Sequence, residues 1–473
     1  MTTSSQLTID TLERIRSIAR TAPEPLQPIL LREVVTGPAA VRAVADALWR
    51  LGVPDGSAVA VLTDPTPKSY EGGADVLDVV VAALDARFRP GLVVLAPHTG
   101  AVHADAETVR YAVSRVAALD APCLVTVGSG TLTDIGKVAA HRLGLKHVVV
   151  QTAASVNGFA DDQSVLLLNG AKRTTPSRWP DSVVIDPGVL AAAPPSMTAA
   201  GLGDQLSMFT AGADWYLATA TGFDTSYSPT VVEILRKGSA EVMAAAGDLA
   251  LGSPAAVLAL AAALTRGGLA MGLAGRTAPS SGTEHTISHL LEMHAGAHGV
   301  AAASHGSQVG AASVVAAAVW ERVRARLALG SVTVLPLDEQ QLQDRVYGAF
   351  GGLDAHGDTA AECWAAYRRK LLWINDNRER LQQLCDTWAQ RDRAVGALLA
   401  TPETIATTLR CAGGASRFAE LDPAPDAATA TWALTHCHLL RDRFTVVDLA
   451  EVIGLWNPVV IAEIVAATQG PPG

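Results

Sequence analysis

The chain has 473 residues, 49% of them hydrophobic and 17% charged. That balance excludes a disordered chain and leaves room for two or three domains with their own cores. The formal net charge is −10, with no long basic run, which argues against nucleic acid or an anionic membrane surface as the main partner.

The opening MTTSSQLTIDTLERIRSIAR reads as a capped polar helix, without the cationic start and apolar core of a signal peptide. Up to about residue 190, short β-branched runs alternate with helical patterns. Strands are predicted at 57–64 (SAVAVLTD), 91–97 (GLVVLAP), 122–130 (PCLVTVGSG) and 147–155 (HVVVQTAAS). Between them lie the helical stretches LDVVVAALDAR, AETVRYAVSRVAAL and LTDIGKVAAHRLG, and SVVIDPGVLAAAPP closes the region. This alternation implies a parallel sheet, whose ligands bind beyond the carboxyl ends of the strands. From about residue 196 the pattern is nearly all helical. The expected organisation is therefore an α/β domain over 1–194, with a break near Pro194–Pro195, and an all-helical domain over 195–473. The Ala-rich stretch 254–264, followed by Arg266, is too short to span a bilayer and reads as a buried core helix. A charged amphipathic helix pair is expected over 368–400, and weak linkers at 278–283, 349–358 and 412–426. The five cysteines (Cys123, Cys363, Cys385, Cys411 and Cys437) are scattered without a CxxC pair. They suit free thiols in a reducing cytoplasm.

Two sets of residues carry chemistry. The first is the glycine turn GSGTLTDIGK at 128–137, which follows a predicted strand and opens a helix. Gly128 and Gly130 allow close backbone approach, the helix N-terminus offers free amides to phosphate oxygens, and Thr131 and Thr133 could add hydroxyls. The alternative is a plain strand-to-helix turn. Asp64, at the end of the first predicted strand, is placed either to meet an adenosine ribose hydroxyl or to cap the turn before Pro65. The second set is Asp204, His285 and His305, in GLGDQLSMFTAGADW, SSGTEHTISHLLEMH and ASHGSQVG. Two imidazoles and a carboxylate form a ligand set for a divalent metal with an open position, the arrangement that polarises a carbonyl or alcohol oxygen. Asp204 reads equally as a helix N-cap. His289 shares a helix face with His285, while His294 and His298 are either supporting residues or a surface cluster. A phosphate cradle and a Lewis-acid site in one chain suggest metal-assisted hydride transfer.

Taken together, GSGTLTDIGK, QTAASVNGFA, SMTAAGLGDQLSMFTAGADWYL, SSGTEHTISHLLEMH, SHGSQVG, AECWAAYRRKLLWI and LLRDRFTVVDLAEVIG give the chain a family resemblance. It resembles the glycerol-1-phosphate dehydrogenases, bacterial branch, of the iron-containing alcohol dehydrogenase and dehydroquinate synthase-like superfamily. The resemblance spans 128 to 453 and implies a Rossmann-like nucleotide-binding domain, a C-terminal helical metal-binding domain and a site in the cleft between them. By motif position it implies Asp204, His285 and His305 as metal ligands, for Zn2+ or another divalent ion such as Ni2+. Gly128, Ser129, Gly130, Thr131 and Asp134 match the pyrophosphate turn, with Lys137 supporting it, and Thr152 and Ser155 match residues lining the nicotinamide. The implied cofactor is NAD or NADP, the implied assembly a homodimer, and the implied setting phospholipid metabolism. The implied reaction is reduction of dihydroxyacetone phosphate to sn-glycerol 1-phosphate. For that reaction the expected proton path runs through water, with His289 as the relay. Lys172, Arg173, Arg441 and Arg443 are candidates for the substrate phosphate, against a reading as solvated surface charge.

Two departures bear on substrate. Asn157 stands where the family has an aspartate that contacts the polyol, and an asparagine can hydrogen-bond a hydroxyl but cannot act as a base. Gly306-Ser307-Gln308 follows His305 where Gly-Glu or Gly-Ala-Lys is usual. Alternatives are the same chemistry on another phosphorylated or phosphonylated ketone, a dehydroquinate synthase-like cyclase, or a drifted nucleotide-binding relative.

Overall fold

A computed structural model describes residues 9–96, 102–168 and 171–469. Residues 1–8 of the expected N-terminal helix, and residue 97 at the end of the second expected strand, lie outside the described residues. The strands are β1 (Glu33–Thr36), β2 (Ala58–Thr63), β3 (Arg89–Val94), β4 (Cys123–Gly128), β5 (Lys146–Gln151), β6 (Gln163–Leu168), β7 (Ala171–Pro176) and β8 (Ser182–Ile185). Helix α1 spans Ile9–Thr21, and the crossover helices are α2 (Val44–Arg50), α3 (Val76–Asp85), α4 (Ala106–Ala117) and α5 (Gly130–Leu143). Beyond β8 come α6 (Pro187–Ala192), α7 (Pro195–Leu206), α8 (Met208–Thr221), α9 (Pro229–Arg236), α10 (Ser239–Ala244), α11 (Ala246–Ala250), α12 (Pro254–Ala274), α13 (Thr283–Ala297) and α14 (His305–Ala328). The chain continues through α15 (Glu339–Phe350), α16 (Asp358–Asp376), α17 (Arg378–Asp386), α18 (Asp392–Leu398), α19 (Pro402–Cys411), α20 (Ala427–His436), α21 (Val446–Val452) and α22 (Pro458–Gln469).

Six strands form one parallel sheet in the order β1-β8-β5-β4-β2-β3. Its central strands are near-continuous apolar runs because both faces are covered. Val76, Val79, Val80 and Leu84 of α3 pack on one face. Val109 and Val116 of α4 and Ile135 and Val138 of α5 pack on the other. Strands β2 and β4 are neighbours, yet the helix that follows each goes to a different face, so the sheet reverses its winding between them. A crevice opens at such a reversal beyond the strand ends. Asp64, just after β2, and the turn at 128–131, at the end of β4, both border it.

The four expected strands of the sheet are present. The fourth ends at Gln151 rather than 155, because 152–155 leave the sheet to line a seam described below. The edge strand β1 and the antiparallel pair β6–β7 were not legible in the sequence pattern. Helix α1 packs its Leu12 and Ile15 into a core shared by β1, β5, β8 and the helical half, so packing does not follow the single cut expected at 194/195. The Ala-rich stretch extends to Ala274 as α12, 21 residues long. It is thus longer than its first 11 residues suggested and carries Arg266 inside, itself only 2% exposed. The helix is long and apolar enough to cross a membrane by composition, but 89% of its most apolar window is buried in the protein. The expected helix pair at 368–400 is broken at Asn377 into the end of α16, then α17 and α18.

His147 on β5 is fully buried, its Nε2 2.8 Å from Thr126 Oγ1 on β4. Burial, with the Arg178 and Lys137 charges adding to it, pushes its pKa down to about 3. The folded protein therefore stays unprotonated at this ring below pH 6.5, where the unfolded chain takes up a proton. The stability this neutral ring contributes is whole above pH 6.5 and is lost as pH falls toward 3. His147→Gln is expected to flatten the pH dependence, with the wild type losing roughly 1 kcal/mol more per pH unit between those limits. Urea denaturation at several pH values measures this, and parallel slopes for both proteins would refute it.

Candidate active site

The turn after β4 has an open helix N-terminus. Ser129 occupies the N-cap of α5 in extended backbone and makes no side-chain cap bond. The first amides of α5 are therefore left for a ligand at the crevice. A Cβ on Gly128 would collide with Leu132, and one on Gly130 would come within 2.7 Å of Val156. The Thr133 hydroxyl donates to Ser129 O at 3.0 Å, so it closes the turn instead of facing a phosphate; Thr131 is exposed. Asp134 accepts from Val165 N at 3.3 Å and pairs with Lys137 at 3.2 Å. Buried Lys137 also donates to Asp161 (2.5 Å), to Gly158 O (2.8 Å) and to Gln163 O. It thereby ties the turn to β6 and to the loop after β5. Asp64 holds Lys68 (2.6 Å) and the Thr66 hydroxyl (2.8 Å), a local brace on the turn it was expected to cap, and it keeps its place beside the crevice.

The loop 152–160 is a seam of close backbone contacts. Thr152 and Ser155 are buried in it. A Cβ on Gly201 of α7 would strike Ala154 O, and one on Gly268 of α12 would meet Asn157 O at 2.7 Å. On the far side of α7, a Cβ on Gly203 would strike Gly306 O, and one on Gly306 would strike Ala200 O. Small residues on both helices let α7 and α14 touch backbone to backbone. That contact sets Asp204 beside His305, the first residue of α14.

Asp204 is not a helix N-cap. It lies in the last turn of α7, whose start is set by Pro195. Its Oδ2 accepts the Asn157 amide at 2.7 Å, while its Oδ1 is buried with no hydrogen-bond partner among the described residues. His285 reaches the same point from the first turn of α13. That helix starts where it does because Asp214 of α8 accepts both the amide (2.8 Å) and the hydroxyl (2.9 Å) of Thr283. Ligand atoms of Asp204, His285 and His305 all lie within 4.8 Å of one another. His285 Nε2 is 3.4 Å from the orphaned Asp204 Oδ1, and its Nδ1 is 3.0 Å from Glu284 Oε1. Burial alone would lower the His285 pKa, but the Asp204 and Glu284 carboxylates outweigh it and raise it to about 9. A buried carboxylate oxygen without a hydrogen bond, set beside two imidazoles, is a donor set that fits a divalent cation.

His289 stands next to this set, its ring stacked 5.6 Å from that of His305. Its Nδ1 is 2.6 Å from the Arg441 guanidinium, which can only donate. Burial first, then Arg441, His305 and Lys172, hold His289 neutral, with its pKa well below the usual imidazole range. The cations expected as solvated surface charge are paired instead. Lys172 is 2.7 Å from Glu292, Arg173 pairs with Glu362, and Arg443 donates to Ser281 O and to the Thr277 hydroxyl. Burial and the neighbouring arginines push Arg441 down to about 9. His294 and His298 stack on each other at 4.1 Å at the far end of α13, as a surface pair. Sequence reasoning missed Glu284 and Glu292; the only signal for Glu292 was its spacing three residues after His289.

The model for "Iron-containing alcohol dehydrogenase" matches residues 35–194. The glycerol-1-phosphate dehydrogenase [NAD(P)+] of Haloquadratum walsbyi is 35% identical over 273 residues, 55% of this chain and 77% of that protein. The chain belongs to the glycerol-1-phosphate dehydrogenase family. The enzyme of that name from Bacillus velezensis is 29% identical over 346 residues, 73% of this chain and 74% of its own. Among solved structures, NADH-dependent butanol dehydrogenase A of Thermotoga maritima aligns with a TM-score of 0.54 at 16% identity, over 90% of this chain and 96% of that one. Maleylacetate reductase from Agrobacterium tumefaciens aligns with a TM-score of 0.53 at 16% identity, over 93% and 97%. These likenesses give the fold: a Rossmann-like sheet domain joined to a helical one. Membership makes the chain an NAD(P)-dependent oxidoreductase.

Gly306→Ala places a methyl against Ala200 O, where backbone must move. It is expected to cost about 1–3 kcal/mol and to separate Asp204 from His305. A lowered melting temperature together with weakened Co2+ binding is the expected pair of results. Undiminished cobalt affinity would show that the helix contact does not set the ligand spacing.

Proposed function

We propose that the protein reduces dihydroxyacetone phosphate to sn-glycerol 1-phosphate with NADH or NADPH, using a divalent ion, most simply Zn2+, held by Asp204, His285 and His305. The observation that carries this reading is the buried Asp204 oxygen that has no hydrogen bond among the described residues and lies 3.4 Å from His285 Nε2, with His305 beside it. Bound in these places, the ion supplies Lewis acidity at a ketone oxygen and the dinucleotide supplies the hydride.

The chain's own residues do the rest. The open amides of α5, with Gly128, Ser129, Gly130 and Thr131, hold the pyrophosphate at the crevice. Asp134 acts from behind the turn through Lys137. Asp64 meets the adenosine ribose at the other wall. Thr152 and Ser155, in the buried seam between turn and ligand set, line the nicotinamide. Arg441 donates to His289 Nδ1 and thereby leaves the ring proton on Nε2. His289 then donates one hydrogen bond from Nε2 to the substrate oxygen, and the proton that oxygen gains comes from solvent water. Lys172 and Arg441 beside His289 favour an anionic substrate over a neutral polyol. The Asn157 backbone holds Asp204, and its side chain lies against Gly267 of α12. An amide at that place favours, as the second reading, a related phosphorylated or phosphonylated ketone.

The test is NADH and NADPH oxidation by zinc-loaded protein with dihydroxyacetone phosphate as the only ketone. Consumption yielding sn-glycerol 1-phosphate is expected. No consumption by protein that retains metal and binds nucleotide would reject this substrate. His305→Ala is expected to lose both bound metal and turnover, and turnover surviving in that variant after chelation would sink the metal assignment. Asn157→Asp is expected to raise kcat/KM for dihydroxyacetone phosphate, and no gain would mean that other residues set the choice of ketone.

A further inference from the structure

The hydrogen bonds around His305 fix which of its nitrogens carries the proton. Gln308 Nε2 donates to Ala303 O at 2.9 Å, which turns the Gln308 Oε1 toward Ser288. The Ser288 hydroxyl spends its proton on that oxygen at 3.2 Å. Its lone pairs then face His305 Nδ1 at 3.3 Å, and Glu292 Oε1 lies 3.3 Å from the same nitrogen. With two acceptors beside it, Nδ1 bears the hydrogen and Nε2 is left bare. A bare Nε2 is the form in which an imidazole ligates a metal. Glu292 also has a second partner: its Oε2 is 2.7 Å from the ammonium of Lys172 on β7.

We propose that Glu292 is a positioning residue that serves two elements at once, orienting the metal ligand His305 through Oε1 and anchoring β7 over the site through Lys172 on Oε2. This rests on the reading of Asp204, His285 and His305 as a metal set. Glu292 sits one helical turn beyond Ser288 on α13, so both acceptors for His305 come from one rigid face. His285 has the same device in Glu284, whose carboxylate is itself held by the Gly282 amide (2.5 Å) and the Thr210 hydroxyl (2.7 Å). Both histidines of the set are thus backed by a carboxylate from α13. Glu292, His289 and His305 also lie close enough to suggest a second cation site. Protein cations already hold that place: Arg441 occupies His289 Nδ1 and Lys172 occupies Glu292. A further divalent ion would face two fixed positive charges.

The experiment is Co2+ titration of the full-length protein, read by the visible d–d absorption of the bound ion and not by turnover. Glu292→Ala is expected to weaken Co2+ binding about 10- to 100-fold and to shift the band. Glu292→Gln retains an acceptor but not the charge, and is expected to lose severalfold; it keeps the test alive if the alanine variant does not fold. Lys172→Met is expected to shift the band although Lys172 touches none of the three ligands. Wild-type affinity and spectrum in the Glu292 variants would overturn the role of Glu292, and an unchanged band in Lys172→Met would overturn its sharing. A wild-type protein that binds no Co2+ would remove the metal reading itself, and this inference with it.

Discussion

Backbone-to-backbone contact between α7 and α14 is the constraint on which the site depends. Glycine at 203 and 306 removes the side chains that would hold the helices apart, and Gly201 does the same between α7 and the loop after β5. Close-packed interiors cannot absorb even one extra methyl without moving something. One carboxylate and one imidazole from segments a hundred residues apart in sequence are therefore set by a packing contact, not by a flexible loop.

The same seam joins the glycine turn to the Asp204 cluster. Val156 packs against the glycine turn, Ala154 O against α7, the Asn157 amide against Asp204, and the Asn157 carbonyl against α12, all within one short run. Lys137 anchors the next residues of that run from beneath the turn. A dinucleotide on the α5 amides and an ion on Asp204 would share one rigid wall. Such a wall is what hydride transfer between two bound partners needs, since its rate depends steeply on their separation.

Charge around the site is arranged in shells. The inner atoms are a carboxylate and two imidazoles, backed by Glu284 and Glu292, and around them stand Lys172 and Arg441. Most of these groups were visible in the sequence as types. Their pairings were not, because a lysine on a strand and a glutamate on a helix give no local sign that they meet. Asp204 is the sharpest case. A residue after Gly-Leu-Gly reads as the start of a helix, yet it ends one, because the glycines there serve packing and not a turn.

The sequence by itself determined the parallel sheet, the open turn after β4 and the helical second half, and it singled out the three side chains, Asp204, His285 and His305, that the fold brings together. Strand and helix periodicities are local, and the ordered motifs carry the family. Only the tertiary structure decided that α1 joins a core shared by the sheet and the helical half, that β6 and β7 lean a lysine over the site, that Thr133 closes its own turn, and that burial, with Arg441 beside it, holds His289 neutral. Each of these depends on burial and on partners distant in the chain. Burial and partner charge, not residue type, fix where a proton or a hydrogen bond goes.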